Sequence, residues 1–359
     1  MNLEPNVREA FRERPSDCHP VEVEPGILWF QMPLPMALDH VNVYALRDED
    51  GWTIIDTGFD TGRTRAIWGR IEQGVLAGSP IARIVLTHHH PDHVGLAGFF
   101  KSRFGARILS TRVAWLTARM LVLDMQEKPV EEALAFYRMA GMEPRMYERK
   151  RHERPFNFSD CVHSIPPGFE RLNEGDCIRM GGHDWMVRIG HGHAPAHATF
   201  WRRDGRMVIG GDQFLADITS NIGVHPTEPK ANPLKEWFAS CYRFQTIADN
   251  DLLVLPGHKM PFVGLQARLG ELIGHHRRVV ALLEHELATP KLATDVFGVL
   301  FGRDIPEGEY GFALSESIAH LNFLHDLGRV RKIAGPNDAT LWVSTVSARE
   351  RGADLSKGV

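Results

Sequence analysis

Residues 86–95 read LTHHHPDHVG. Thr87 to His93 packs four imidazoles and one carboxylate into seven positions, a density that a folded core does not need and a metal ion does. Side chains two residues apart, here His88 and His90, can converge on one ion. Asp92 and His93 can turn to a second ion nearby. Imidazole and carboxylate together suit Zn²⁺ first, with Fe or Mn as alternatives. His89 is one step out of this register and is not expected to be a ligand. A single loop rarely completes a two-metal site, and further candidates follow. His193 lies in GHAPAH, Asp212 in IGGDQF and His258 in VLPGHKMPF. Each follows an apolar run and a glycine that lets the backbone turn sharply, and a carboxylate such as Asp212 can bridge two cations.

These residues need strands that end at a common edge. ILWFQMPL (27–34), VNVYALRD (41–48) and GWTIIDTGFD (51–60) read as strands, the last closed by Asp-Thr-Gly turn chemistry. A helical stretch, TGRTRAIWGRIEQGV, leads to the β-branched run ARIVLT (82–87), and the His-rich loop follows directly. A further helix, VGLAGFFKSRFG, and strand, ARILST (106–111), complete an α/β alternation, in which ligands gather at the carboxyl ends of strands. About residues 112–155 the pattern turns helical, with Met120, Met125, Met139, Met142 and Met146. That segment reads as an amphipathic insertion packed on the core or as a lid whose methionines line an apolar pocket. Strand signals return in GDCIRMGGHDWMVRIG, ATFWRRDGRMVIGGD and DLLVLPGH. Past about 270 the helical patterns HHRRVVALLEHELA, KLATDVFGVLF and SESIAHLNFLHDLGRVRKI precede a short TLWVS strand.

The ordered series H-x-H-x-D-H, G-H-x-P-x-H, G-D and P-G-H resembles the metallo-β-lactamase superfamily, with Asp56 in IIDTGFD matching its upstream Asp. The likeness covers about residues 20–270. It implies an αβ/βα four-layer sandwich, with the helical insertion at about 112–155, as a catalytic domain over 1–270. A small helical, winged-helix-like domain would occupy 271–359. Carried over, His88, His90 and His193 would hold the first metal and Asp92, His93 and His258 the second, with Asp212 between them. Asp56 would orient ligands from behind, and His197 matches a non-ligand position beside them. The resemblance thus implies two divalent ions and a metal-bridging hydroxide, with Asp92 as proton acceptor. His183 and His191 read as ordinary surface or loop histidines.

The expected substrate is a small carboxylic thioester, ester or lactone with an apolar acyl part. Gly257-His258-Lys259-Met260 stands where glyoxalase II carries G-H-E-Y, a departure that points away from a glutathione thioester. The alternative is a metal-dependent nuclease or nucleic-acid-binding protein. Bulk charge argues against it: the 359 residues carry a formal net charge of -4. Residues 271–359 hold ten Lys plus Arg against twelve Asp plus Glu, so no phosphate-binding surface is expected there. The charged amino terminus has no apolar signal region, no apolar run suits a membrane, and the four cysteines are scattered. The expected setting is cytoplasmic, with a homodimer as a candidate assembly.

Overall fold

Along ILWFQMP, Ile27 and Trp29 point to one core and Leu28, Phe30 and Met32 to another, as a strand buried on both faces requires. The computed structural model describes residues 7–36 and 38–347, and the chain divides into two compact units. Unit one comprises residues 1–125, 156–220 and 247–268, and unit two residues 126–155, 221–246 and 269–359. The second is thus drawn from three stretches of sequence rather than from one.

In the first unit, strands β1 (Arg8–Glu9), β2 (Val21–Glu24), β3 (Ile27–Pro33), β4 (His40–Asp48) and β5 (Gly51–Ile55) precede helix α1 (Gly62–Gln73). Strand β6 (Ile81–Val85), helices α2 (Pro91–Val94) and α3 (Ala97–Phe104), strand β7 (Arg107–Thr111) and helix α4 (Arg112–Leu123) follow. Strands β8 (Glu170–Leu172), β9 (Cys177–Met180), β10 (His183–Gly190), β11 (His197–Arg202), β12 (Met207–Gly211), β13 (Leu253–Pro256) and β14 (Phe262–Val263) complete it. They form two seven-stranded sheets, in the orders β2-β3-β4-β5-β6-β7-β8 and β1-β14-β13-β12-β11-β10-β9.

Two apolar cores hold the layers. One joins the first sheet to α1, α3 and α4 through Phe30, Trp68, Phe100 and Trp115. The other lies between the sheets and contains Trp29, Leu46, Trp185, Phe200 and Leu255. Trp68 meets Phe100 edge-on at 5.0 Å, and its indole N–H donates to the Thr57 carbonyl at 2.9 Å. That bond links the packing of α1 to the turn after β5. Parallel pairing of β5 with β6, and of β12 with β13, brings the carboxyl ends of each pair together, the position the ligand loops need.

The second unit contains α5 (Glu131–Met139), α6 (Pro144–His152), α7 (Pro233–Gln245), most of α8 (Leu265–Glu286), α9 (Phe297–Phe301) and α10 (Tyr310–Asp326). Strands β15 (Val330–Ala334) and β16 (Thr340–Ser344) pair as an antiparallel hairpin. The segment 112–155 is helical, but it is not one body: α4 belongs to the first unit and α5 and α6 to the second. Two helical readings of the tail need correction. SESIAHLNFLHDLGRVRKI does not run on as helix, because Gly328 takes φ +68 just past α10 and Arg-Val-Arg-Lys-Ile enters the hairpin. KLATDVFGVLF is helical only over Phe297–Phe301, since Lys291 exchanges backbone hydrogen bonds with Trp342 instead.

A polar network runs through the second unit. Asn221 donates its amide to Glu316 at 2.7 Å, and His320 donates Nδ1–H to the Glu316 carbonyl at 2.9 Å. Desolvation pushes the Glu316 carboxyl up to about 7, and burial pushes the His320 ring down to about 4. A carboxyl whose folded value is raised contributes stability that is complete below its usual range and is lost as pH rises through the folded value. His320 has the opposite sign, and comparing a Glu316 variant with wild type cancels it. Glu316→Gln should therefore gain about 2 kcal/mol on wild type between pH ~5 and pH ~8, a figure reduced because Glu316 is only partly buried. Denaturant unfolding at the two pH values measures this, and an offset equal at both would contradict it.

Candidate metal centre

Asp56 directly follows β5 with φ +57, a left-handed conformation that aspartate tolerates better than most side chains, and it is buried. Its carboxylate accepts the Thr87 backbone N–H at 2.9 Å, the Thr87 hydroxyl at 2.7 Å and the His93 Nδ1–H at 2.8 Å. Because the Thr87 hydroxyl donates to Asp56, its oxygen is left to accept Nδ1–H of His88, 2.9 Å away. Both rings therefore turn Nε2 inward, and a hydrogen bond behind each ring sets the tautomer. His258 follows the same rule, with Nδ1 donating to the His40 carbonyl at 2.8 Å.

The inward atoms fall into three groups: His88 with His90 and His193, His88 with His93 and Asp212, and Asp92 with His93 and His258. Nε2 of His88 lies 2.9 Å from Nδ1 of His90. Nε2 of His93 lies 3.6 Å from Asp92 and 3.4 Å from Asp212. Nε2 of His258 lies 3.3 Å from Asp92 and 3.2 Å from Asp212, and His193 lies 3.5 Å from Asp212. Donors bonded at ~2.1 Å to a tetrahedral ion stand about 3.4 Å apart, so these separations fit ligands around a cation. Nε2 of His93 and Oδ1 of Asp212 are buried and make no hydrogen bond, as atoms reserved for an ion would be. All seven candidate ligands are thus brought together. His89 is in none of the groups, and its ring lies parallel to Phe158 with centroids 6.5 Å apart.

Charge is arranged to match. Burial, and then the neighbouring imidazoles, hold His88 and His90 well below the usual histidine range, so their lone pairs are available. His93 is held well above that range and His258 is raised to about 10, because Asp212 and Asp92 outweigh burial. Asp212 is held well below the usual carboxylate range by His258 and His93 despite its burial. The carboxylates thus demand positive charge between them, which protons or cations can supply.

His197 is buried, and its ring stacks on His88 with centroids 4.6 Å apart. Its Nε2 accepts the Asp212 backbone N–H at 3.1 Å, and burial lowers it to about 3, so it acts as a neutral acceptor that holds Asp212 in place. His191, by contrast, is exposed, and its Nδ1 accepts the Ala196 N–H within the loop. Two glycines form the back wall. A Cβ on Gly257 would lie 2.1 Å from Asp212 Oδ1, and one on Gly211 would lie 2.6 Å from His197. His88, His93, Asp212 and His258 are buried, whereas His90, Asp92 and His193 are partly exposed, so the site opens on their side. Thr87 and Gly257 have roles that residue type did not announce. The signal for each was adjacency, Thr87 before the first ligand and Gly257 before the last.

The family model of the metallo-beta-lactamase superfamily matches residues 36–258, which contain every one of these side chains. This chain belongs to the metallo-beta-lactamase superfamily. A model described as the metallo-beta-lactamase-like C-terminal domain matches residues 280–345. Among solved structures, a beta-lactamase domain protein from Burkholderia ambifaria is similar at 32% identity and TM-score 0.87, over 94% of this chain and 98% of that one. A metallo-beta-lactamase family protein from Thermus thermophilus has TM-score 0.75 and 26% identity, over 90% of this chain and 100% of that one. The "Probable metallo-hydrolase YqjP" of Bacillus subtilis (strain 168) is 26% identical over 303 residues, 83% of this chain and 92% of its own. A hydroxyacylglutathione hydrolase of Chelativorans sp. is 25% identical over 180 residues, 48% of this chain and 50% of that protein. These likenesses establish a metal-dependent hydrolase of this superfamily. Among the described residues, no helix is long and apolar enough to cross a membrane.

Gly257→Ala should cost at least about a hundredfold in kcat/KM and most of the bound metal while the melting temperature changes little, because the added methyl displaces Asp212. His89→Ala should keep activity within a few fold of wild type, whereas His88→Ala should abolish it. Elemental analysis and steady-state kinetics of the three variants measure this. Equal damage from His89→Ala and His88→Ala would show the loop register to be misread.

Proposed function

We propose that the protein is a binuclear metal hydrolase acting on a carboxylic thioester, ester or lactone with an apolar acyl part. The observation that carries this reading is Asp212, whose Oδ1 faces His93 and whose Oδ2 faces His193 and His258. One carboxylate thus stands between a set built on His88, His90 and His193 and a set built on Asp92, His93 and His258. Two divalent cations held there, Zn²⁺ by donor type with Fe or Mn as alternatives, would supply water activation near neutral pH and polarisation of the acyl oxygen.

The chain's own residues supply the rest. Asp92 stands at the open side, 3.3 Å from His258, where its carboxylate can take a proton as the acyl carbon is attacked. His93 and His258 are locked from behind and need not reorganise during the reaction. No serine or cysteine nucleophile is called for. The hydroxyacylglutathione hydrolases among the relatives are named for cleavage of an acyl conjugate, which supports acyl chemistry over phosphodiester chemistry.

The apolar part of the substrate has a place in the same unit. Thr111 caps α4 and donates its hydroxyl to the Ala196 carbonyl at 2.7 Å, in the turn between His193 and His197. From that anchored end, Val113, Leu116, Met120 and Leu123 form one exposed apolar stripe, with Met125 just beyond. An acyl chain extending from the metal site along α4 would cover this stripe.

A metal-reconstituted screen of acyl thioesters, lactones, esters, β-lactams and short RNA tests the reaction class. Acyl substrates should be turned over, and Asp92→Asn should lower kcat by about a thousandfold or more with the fold intact. Cleavage of RNA alone would overturn the reading. Leu116→Gln and Met120→Gln should each raise KM several-fold for long-chain acyl substrates and leave short-chain KM unchanged. A rise equal at both lengths would return the stripe to a packing role.

A further inference from the structure

The turn that carries His258 is held to its own sheet at Gly257, whose N–H donates to the Gly211 carbonyl at 2.8 Å. Residues 256–260 read Pro-Gly-His-Lys-Met, and Lys259 sits at φ +65, a region that a lysine enters only under external constraint. The side-chain constraint on Lys259 and its neighbours comes from β4, in the other sheet. Asn42 donates its backbone N–H to the Gly257 carbonyl at 2.7 Å. Its side-chain amide donates to the Pro256 carbonyl at 3.0 Å and to the Lys259 carbonyl at 2.8 Å. The Tyr44 hydroxyl donates to the same Pro256 carbonyl at 2.7 Å. Nε2 of His40 accepts the Lys259 N–H at 3.2 Å, while its Nδ1 donates to Asp39 at 2.6 Å.

The clamp is itself held. Oδ1 of Asn42 accepts the Trp29 indole N–H at 2.8 Å and the Gln31 amide at 3.2 Å, so the Asn42 side chain uses both its donors and its acceptor. This network fixes which way the amide points, and an aspartate could not donate to the two carbonyls. Asn42 and Tyr44 are buried on the side of β4 that faces the inter-sheet core.

We propose that His40, Asn42 and Tyr44 are positioning residues that impose the left-handed turn at Lys259 and so aim His258 Nε2 at Asp92 and Asp212. This inference rests on the binuclear reading for its consequence, but its mechanical claim is separate from it. Only one of the two ligand sets hangs on the clamp. His88, His90 and His193 stand on other loops, so loss of the clamp weakens the His258 set selectively.

The test uses full-length protein freed of metal, with Asn42→Ala as the main variant and Tyr44→Phe as the milder one, since Tyr44→Phe removes a single hydroxyl and leaves the ring packed. Co²⁺ titration against a competing chelator, followed by its visible absorption, reads the two binding events separately. Hydrogen exchange of the peptide spanning 253–262 in the metal-free protein reads the turn without any metal. Asn42→Ala should weaken the His258-dependent Co²⁺ event about ten- to a hundredfold and leave the other within about threefold. Tyr44→Phe should shift the same event in the same direction by less. Exchange at 257–259 should accelerate in both variants. Unchanged exchange overturns the inference, and so does equal weakening of both events, which is the mark of general destabilisation. If wild type takes up no Co²⁺, the metal reading fails, while the exchange result still decides the clamp.

Discussion

The site depends on a buried carboxylate held in a conformation that most residues avoid. Asp56 takes φ +57 and collects three hydrogen bonds, two from Thr87 and one from His93. An unpaired charge at that depth would be prohibitive, so the loop Thr87–His93 must close on it. Closing on it leaves His88 and His93 with their Nε2 atoms turned to a common point. One interaction thus settles both the loop path and the ring tautomers. Thr57 reinforces it, since its N–H and hydroxyl both donate to the His93 carbonyl.

The second sheet brings the other half of the constellation. Ends of β12 and β13 supply Asp212 and His258, while the turn between β10 and β11 supplies His193. Small residues are required where these loops converge, because a methyl group at Gly257 or Gly211 would occupy space taken by Asp212 or His197. Backbone bonds across the sandwich, Ala198 N–H to the Thr87 carbonyl at 2.7 Å and Asn42 N–H to the Gly257 carbonyl at 2.7 Å, tie the halves together. Among the candidate ligands, His90, Asp92 and His193 are the partly exposed ones, so within the first unit the site opens on their side.

The histidine-rich loop was legible because chemistry that needs several imidazoles leaves a dense local signal, and the downstream ligands because each ends an apolar strand. The sandwich followed from the family motif, since α/β alternation does not distinguish it from other layered folds. The hairpin at 330–344 was partly hidden because Val330–Ala334 follows α10 with only a glycine to mark the break. Likewise, the roles of Asn42 and Tyr44 could not be read from residue type. An asparagine and a tyrosine in a strand look like any polar pair until the end of β13, more than 200 positions away in the other sheet, is placed beside them.

On the proposed reading, Asp92, Asp212 and the five imidazoles, held in place by Asp56, bind two divalent ions. Elemental analysis of protein purified without chelator, run beside Asp56→Ala, tests it most directly. About two metal equivalents per chain in wild type, and a clear fall in Asp56→Ala despite no ligand being removed, are the expected results. A reproducible stoichiometry of zero in wild type, or an Asp56→Ala variant as fully loaded as wild type, would contradict it.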